Sequence, residues 1–129
     1  MSRIYKILPR AEWETALAGG RFEGSAVDLE DGYIHFSTAG QAQETARRHF
    51  HGQAGLVVLE VEAEDLGQAL RWEPSRGGDL FPHLYGGLEV ARVRSVTDAP
   101  LGADGTPQVG PFRDRLSPQG GRGDVSDAD

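Results

Sequence analysis

Apolar and polar residues change their spacing several times along the chain, and each change predicts an element. Ile4, Tyr5, Ile7 and Leu8 predict a short first strand ended by Pro9. Trp13, Ala16 and Leu17 fall at i, i+3 and i+4, so Arg10 to Leu17 reads as a helix, stopped at Gly19-Gly20. Ser25 to Gly32 is polar and acidic and reads as a loop. Tyr33-Ile34-His35-Phe36-Ser37 is β-prone and follows the turn signal Asp31-Gly32. Thr38 and Gln41 fit a capping box, in which a hydroxyl and an amide satisfy free N–H groups. A helix from about Gly40 to Phe50 should follow, with Ala39, Ala42, Ala46 and Phe50 as its buried stripe.

After a break at His51–Gly55, Leu56 to Val61 is the most strand-like run and is expected to be central. Ala63 to Leu66 reads as a turn or short helix, Leu70 to Glu73 as a short strand, and Arg76 to Asp79 as a turn. Leu80 to Gly87 mixes apolar and polar residues, and Leu88 to Thr97 alternates like a half-buried strand. The expectation is an α+β domain with two main helices, five or six short strands and a mixed or antiparallel sheet. Residues 1–100 form that domain. Residues 101–129, rich in Gly, Pro and Asp, read as a tail, largely disordered and most surely so from Ser117 to Asp129.

Composition narrows the function classes. The 129 residues contain no cysteine, which excludes a disulfide framework, a thiolate zinc site and a Cys nucleophile. Thirteen Lys and Arg against 20 Asp and Glu give a net charge of −7. That balance opposes sequence-independent nucleic-acid binding, which needs a basic face. No apolar run approaches the ~20 residues of a membrane span. No signal-peptide pattern opens the chain, so a cytoplasmic location is expected.

Two segments are too polar for core and too patterned for ordinary loops. On a strand through Tyr33 to Ser37, His35, Ser37 and Tyr33 share one face, while Ile34 and Phe36 share the other. An imidazole and a hydroxyl then stand beside a helix N-terminus, a place that favours anions. A partly buried structural histidine is the competing reading. In Phe81-Pro82-His83-Leu84-Tyr85-Gly86, His83 and Tyr85 project to one side, which suits acid–base work or stacking on a flat ring. Glu73 lies beside Trp72, where apolar surroundings could raise its pKa; spacing alone favours an ordinary exposed strand residue instead. Arg71 and Arg76 are the nearest cations for a phosphate. His49 and His51 offer two metal ligands, but nothing nearby supplies a third. The glycine loops of dinucleotide and triphosphate folds are absent.

In combination these segments resemble a known family. Residues 5–13, the motif G-[FY]-I-H-x-S at 32–37, Leu70-Arg71-Trp72-Glu73 and F-P-H-[LI]-Y-G at 81–86 resemble the bacterial domain-of-unknown-function family 952. That family is grouped with the ADP-ribosyltransferase-like superfamily, whose split β-sheet cleft holds NAD. The resemblance implies NAD, as substrate or ligand, with His35 on the ribose and the nicotinamide amide. It also implies Tyr85 flanking the nicotinamide, with Ser37 near. The late-strand E-x-E of that superfamily is missing. Glu60-Val61-Glu62 has the spacing but lies mid-sequence, so Glu73 and His83 stand in as catalytic candidates. Arg10, Arg71 and His83 would form a polar set like that of relatives that remove a 2′-phosphate from RNA. The implied activity is an ADP-ribosyl or phosphate transferase, and the alternative is a nucleotide-binding or sensor module without chemistry.

Overall fold

A computed structural model describes residues 2–110, and the tail expected over residues 111–129 lies outside the described residues. Three α-helices and nine strands, several only two residues long, make up the described chain. All of its strand pairs are antiparallel.

The first strand, β1 (Arg3–Pro9), runs into helix α1 (Arg10–Gly19) at Pro9, whose fixed φ suits the entry. Trp13 and Ala16 face inward as the spacing requires, but Leu17 is exposed. Next come β2 (Arg21–Phe22) and α2 (Ala26–Asp31). The latter corrects the loop expected over Ser25 to Gly32. Six residues carry no apolar stripe; the turn is held instead by Asp28, whose carboxylate accepts the Ser25 backbone N–H at 2.9 Å. Gly32 ends it in the left-handed region at φ 91°, a conformation that favours glycine.

The segment expected to be one strand at Tyr33–Ser37 is divided. Ile34–His35 forms β3 and Ser37–Thr38 forms β4, and they join different sheets. Helix α3 (Ala39–His49) begins where the capping residues place it, with the Gln41 side chain accepting the Thr38 N–H at 3.0 Å. Ala42 and Ala46 are its buried residues. Strand β5 (Leu56–Glu62) is buried along its whole length. A kinked 3-10 segment (Ala63–Ala69) leads to β6 (Leu70–Pro74), and β7 (Leu80–Leu84) returns against it. The strand expected over Leu88–Thr97 is β8 (Leu88–Glu89), a single 3-10 turn, and β9 (Val93–Ala99).

The main sheet has the order β4-β1-β5-β9, with β1 and β5 in register from Arg3↔Glu62 to Pro9↔Leu56. One of its faces packs under α3, where Tyr5, Ile7, Val58, Ala42 and Ala46 meet. The other face, through Ile4, Leu8, Val57 and Leu59, meets α1 and the apolar side of a three-stranded sheet, β3-β7-β6. Ile34 and Leu84 supply that apolar side. Since strand side chains alternate, the opposite side of the small sheet is free to be polar. Residues just beyond 100 make contacts with the main sheet and α3. Leu101 bridges Pro107, Val109 is buried in the α3 core, and the Gln43 side chain holds the Pro107 carbonyl and the Val109 N–H. Among the described residues no helix is long and apolar enough to cross a membrane.

Candidate functional site

The polar side of the small sheet gathers the site. His35 and His83 are directly paired across β3 and β7, and Arg71 is paired with His83 across β7 and β6. Residues opposite one another share a face, and Glu73 joins them two positions beyond Arg71. The imidazole rings of His35 and His83 lie 5.6 Å apart, centre to centre, edge to face. Tyr33 sits over both, stacked on His83 at 4.1 Å and tilted against His35 at 4.6 Å. Tyr85 closes the group 5.2 Å from Tyr33, with the Arg71 guanidinium 4.7 Å above its ring.

Each histidine is tied to a carboxylate through Nδ1. His83, which is buried, donates from Nδ1 to Glu73 Oε1 at 2.7 Å. The Tyr85 hydroxyl donates to the same oxygen at 2.8 Å. Both bonds favour the ionised acid, so the Glu73 pKa is lowered and the Tyr85 hydroxyl is held protonated, its pKa raised. Of the two sequence readings this opposes a Glu73 raised by Trp72, which sits at the adjacent strand position and so projects from the other side of β6. A carboxylate on Nδ1 fixes the tautomer and leaves Nε2 as an acceptor. The His83 Nε2 has no hydrogen-bond partner among the described residues.

His35 donates from Nδ1 to Asp28 Oδ1 at 2.6 Å, and its Nε2 faces Asp31 Oδ2 at 2.9 Å. Asp28 is 1% exposed. It also takes the Lys6 ammonium at 2.8 Å, and Lys6 is itself buried between Ile4 and Leu8 on β1. Burial alone would push the Asp28 carboxyl up, but the His35 hydrogen bond and the Lys6 charge outweigh it and hold it at about 2. For Lys6, burial dominates and its pKa is lowered despite Asp28 and the more distant Glu12. Tyr33 is raised by partial burial and by the charges of Asp31 and Glu73, which flank it.

The fold thus brings together His35, Glu73, His83, Tyr85 and Arg71, and leaves two candidates elsewhere. Ser37 belongs to the main sheet, where its buried hydroxyl shares a 2.9 Å hydrogen bond with Thr45 of α3. Arg10 begins α1 and pairs with Asp98 on β9. Glu60 and Glu62 are committed to Arg3 on the main sheet. The His51 ring bonds the Asp104 carbonyl at 2.9 Å, and no group of three His, Asp or Glu among the described residues is placed to share a metal ion.

Lys6, Asp28 and Asp31 escaped the sequence reading. Two signals were present: a lysine inside the apolar run Ile4-Tyr5-Lys6-Ile7-Leu8, and the spacing Ser25-x-x-Asp28, which is a helix start.

Residues 7–96 match the family described as "Protein of unknown function (DUF952)", and the chain belongs to that family. Among solved structures, it is similar to the crystal structure of protein CC0527 from Caulobacter crescentus. The identity is 63%, the TM-score 0.82, and the match covers 83% of this chain and 94% of that one. The crystal structure of a double mutant of CC0527 matches at 61% identity and TM-score 0.81, covering 83% of this chain and 94% of that one. The solution structure of CC0527 matches at 63% and 0.76, covering 84% and 93%. No curated protein matches the chain.

Proposed function

We propose that the polar side of the small sheet binds NAD or a closely related nucleotide, and that the His83–Glu73 pair acts on it. One observation carries this reading. Tyr33 and Tyr85 form an aromatic wall flanked by the carboxylates of Asp31 and Glu73. Electron-rich rings bordered by negative charge favour a flat cation, and the oxidised nicotinamide ring is one. Arg71, at the rim over Tyr85, supplies a guanidinium for a pyrophosphate.

Transfer then needs little covalent work. The bond between nicotinamide nitrogen and ribose C1′ breaks, and its electron pair leaves with nicotinamide. An acceptor hydroxyl gives its proton to His83 Nε2 as its oxygen bonds C1′. Glu73 stabilises the imidazolium that forms and stays ionised. ADP-ribosyl transfer of this kind matches what the resemblance implies.

Calorimetry with NAD, ADP-ribose, nicotinamide and ATP tests the site. NAD should bind, Tyr33→Ala and Arg71→Ala should weaken it, and Arg10→Ala should not. Absence of binding by all four ligands overturns the proposal. Chromatography for free nicotinamide tests the chemistry: His83→Ala should lose about 10²–10⁴-fold in release. A second reading, a binding module without turnover, is favoured by the prior engagement of both flanking carboxylates, Asp31 by His35 and Glu73 by His83 and Tyr85. NAD binding with no nicotinamide released would establish it.

A further inference from the structure

Lys6 is an unexpected occupant of its position. It is 4% exposed on the face of β1 that carries Ile4 and Leu8 into the main core. An apolar side chain there would cost nothing in desolvation, and buried ion pairs are commonly no better for stability than apolar pairs of similar volume. Its partner explains more. Asp28 accepts from four groups: the Lys6 ammonium, the Ser25 N–H, the His35 N–H at 3.2 Å and the His35 ring at 2.6 Å. Three of these fix the carboxylate and the fourth is the ring it steers.

We propose that the buried Lys6–Asp28 ion pair is a positioning pair for His35, fixing Nδ1 as the donor and turning Nε2 to the Asp31 side, where the ring is partly exposed. His35 therefore repeats the Nδ1 arrangement of His83 with a buried carboxylate in place of a half-exposed one, and differs at Nε2, which faces a second carboxylate, Asp31. The charged and titratable groups around the ring are Asp28 and Asp31 from α2, Lys6 from β1, and Tyr33 and His83 across the site, with Glu73 behind His83 and Glu12 acting on Lys6 from α1. The proposal rests on the nucleotide reading only in giving His35 a ligand to meet; the placement of the ring proton is measured without one.

Nitrogen-15 NMR of the histidine rings is the test. In the native chain, both His35 and His83 should show a slowly exchanging, downfield Nδ1–H. In Asp28→Asn, Lys6 keeps the amide oxygen, the amide NH2 turns to the ring, and His35 should lose its Nδ1 proton and keep only the Nε2–H that faces Asp31. Lys6→Met should speed exchange of the same proton while leaving His83 unchanged, and it decides the matter should Asp28→Asn fail to fold. Glu73→Gln should do the reverse, disturbing His83 alone. NAD affinity should fall by about 10-fold in Asp28→Asn, the size of one well-oriented hydrogen bond lost to the ligand. An unaltered His35 Nδ1–H signal in the folded variants overturns the positioning role. The expected NMR changes in a chain that does not bind NAD would leave the positioning pair standing and remove the nucleotide reading instead.

Discussion

The two histidine–carboxylate pairs have the same chemistry and opposite settings. Asp28 lies in the core, with a buried lysine behind it and a short helix organised around it. Glu73 lies on an edge strand of the small sheet, with its side chain 33% exposed and, among the described residues, only His83 and Tyr85 as hydrogen-bond partners. Each pair has one partner a third exposed, His35 in the first and Glu73 in the second, so the difference lies in the carboxylate: water reaches Glu73 and not Asp28. Asp28 is therefore bound up with folding, whereas Glu73 is free to be tuned for a ligand.

The sharpest way to break this comparison is Asp28→Ala, which strands the Lys6 ammonium in the core. Removing one partner of a buried pair costs about 3–5 kcal/mol, so urea denaturation should show a loss of that size. A loss below about 1 kcal/mol would mean that Lys6 finds water, and that Asp28 is no more structural than Glu73.

Acid should act on the same pair. The folded Asp28 carboxyl sits at about 2, below its ordinary 3.8. A depressed acid contributes stability above the unfolded value and loses it as pH falls through the folded one, here between about pH 4 and 2. The loss is roughly 2 kcal/mol. Denaturation across that range should show the slope in the native chain and a flatter one in Asp28→Asn.

A smaller effect is expected at Gly24, which stands at φ 127° and whose added Cβ would lie 2.9 Å from the Asp28 Cβ. Gly24→Ala strains the backbone and pushes against Asp28, costing roughly 1–2 kcal/mol. An unchanged melting temperature would show that α2 can shift without loss. Glu73→Gln should have the least effect on stability, with a melting temperature close to that of the native chain, yet it should reduce nicotinamide release if His83 is the base. Unchanged release would dissociate Glu73 from turnover.

Legibility in the sequence followed the distance over which each feature is decided. The spacing of Trp13 and Ala16, the stripe Ala42–Ala46 and the apolar run Leu56–Val61 are local, and they mark α1, α3 and the central strand. The polar helix α2 carries no such stripe, because its stabilising partners are Lys6 and His35 rather than its own apolar face. Likewise the Tyr33–Ser37 run is one β-prone segment by pattern, yet it changes sheets at Phe36, whose N–H bonds the Pro82 carbonyl. Ser37 accordingly faces Thr45 and not the histidines.

By itself, the sequence determined the α+β class, the main helices, the family, and the alternation that sets His35 and His83 apart from their apolar neighbours. Only the tertiary structure decided which charges meet them. Lys6 and Asp28 are 22 residues apart, and Glu73 and His83 are 10 apart on adjacent strands. Residue type states that a side chain can donate or accept; pairing register and burial decide which partner it finds and how strongly the surroundings screen the pair.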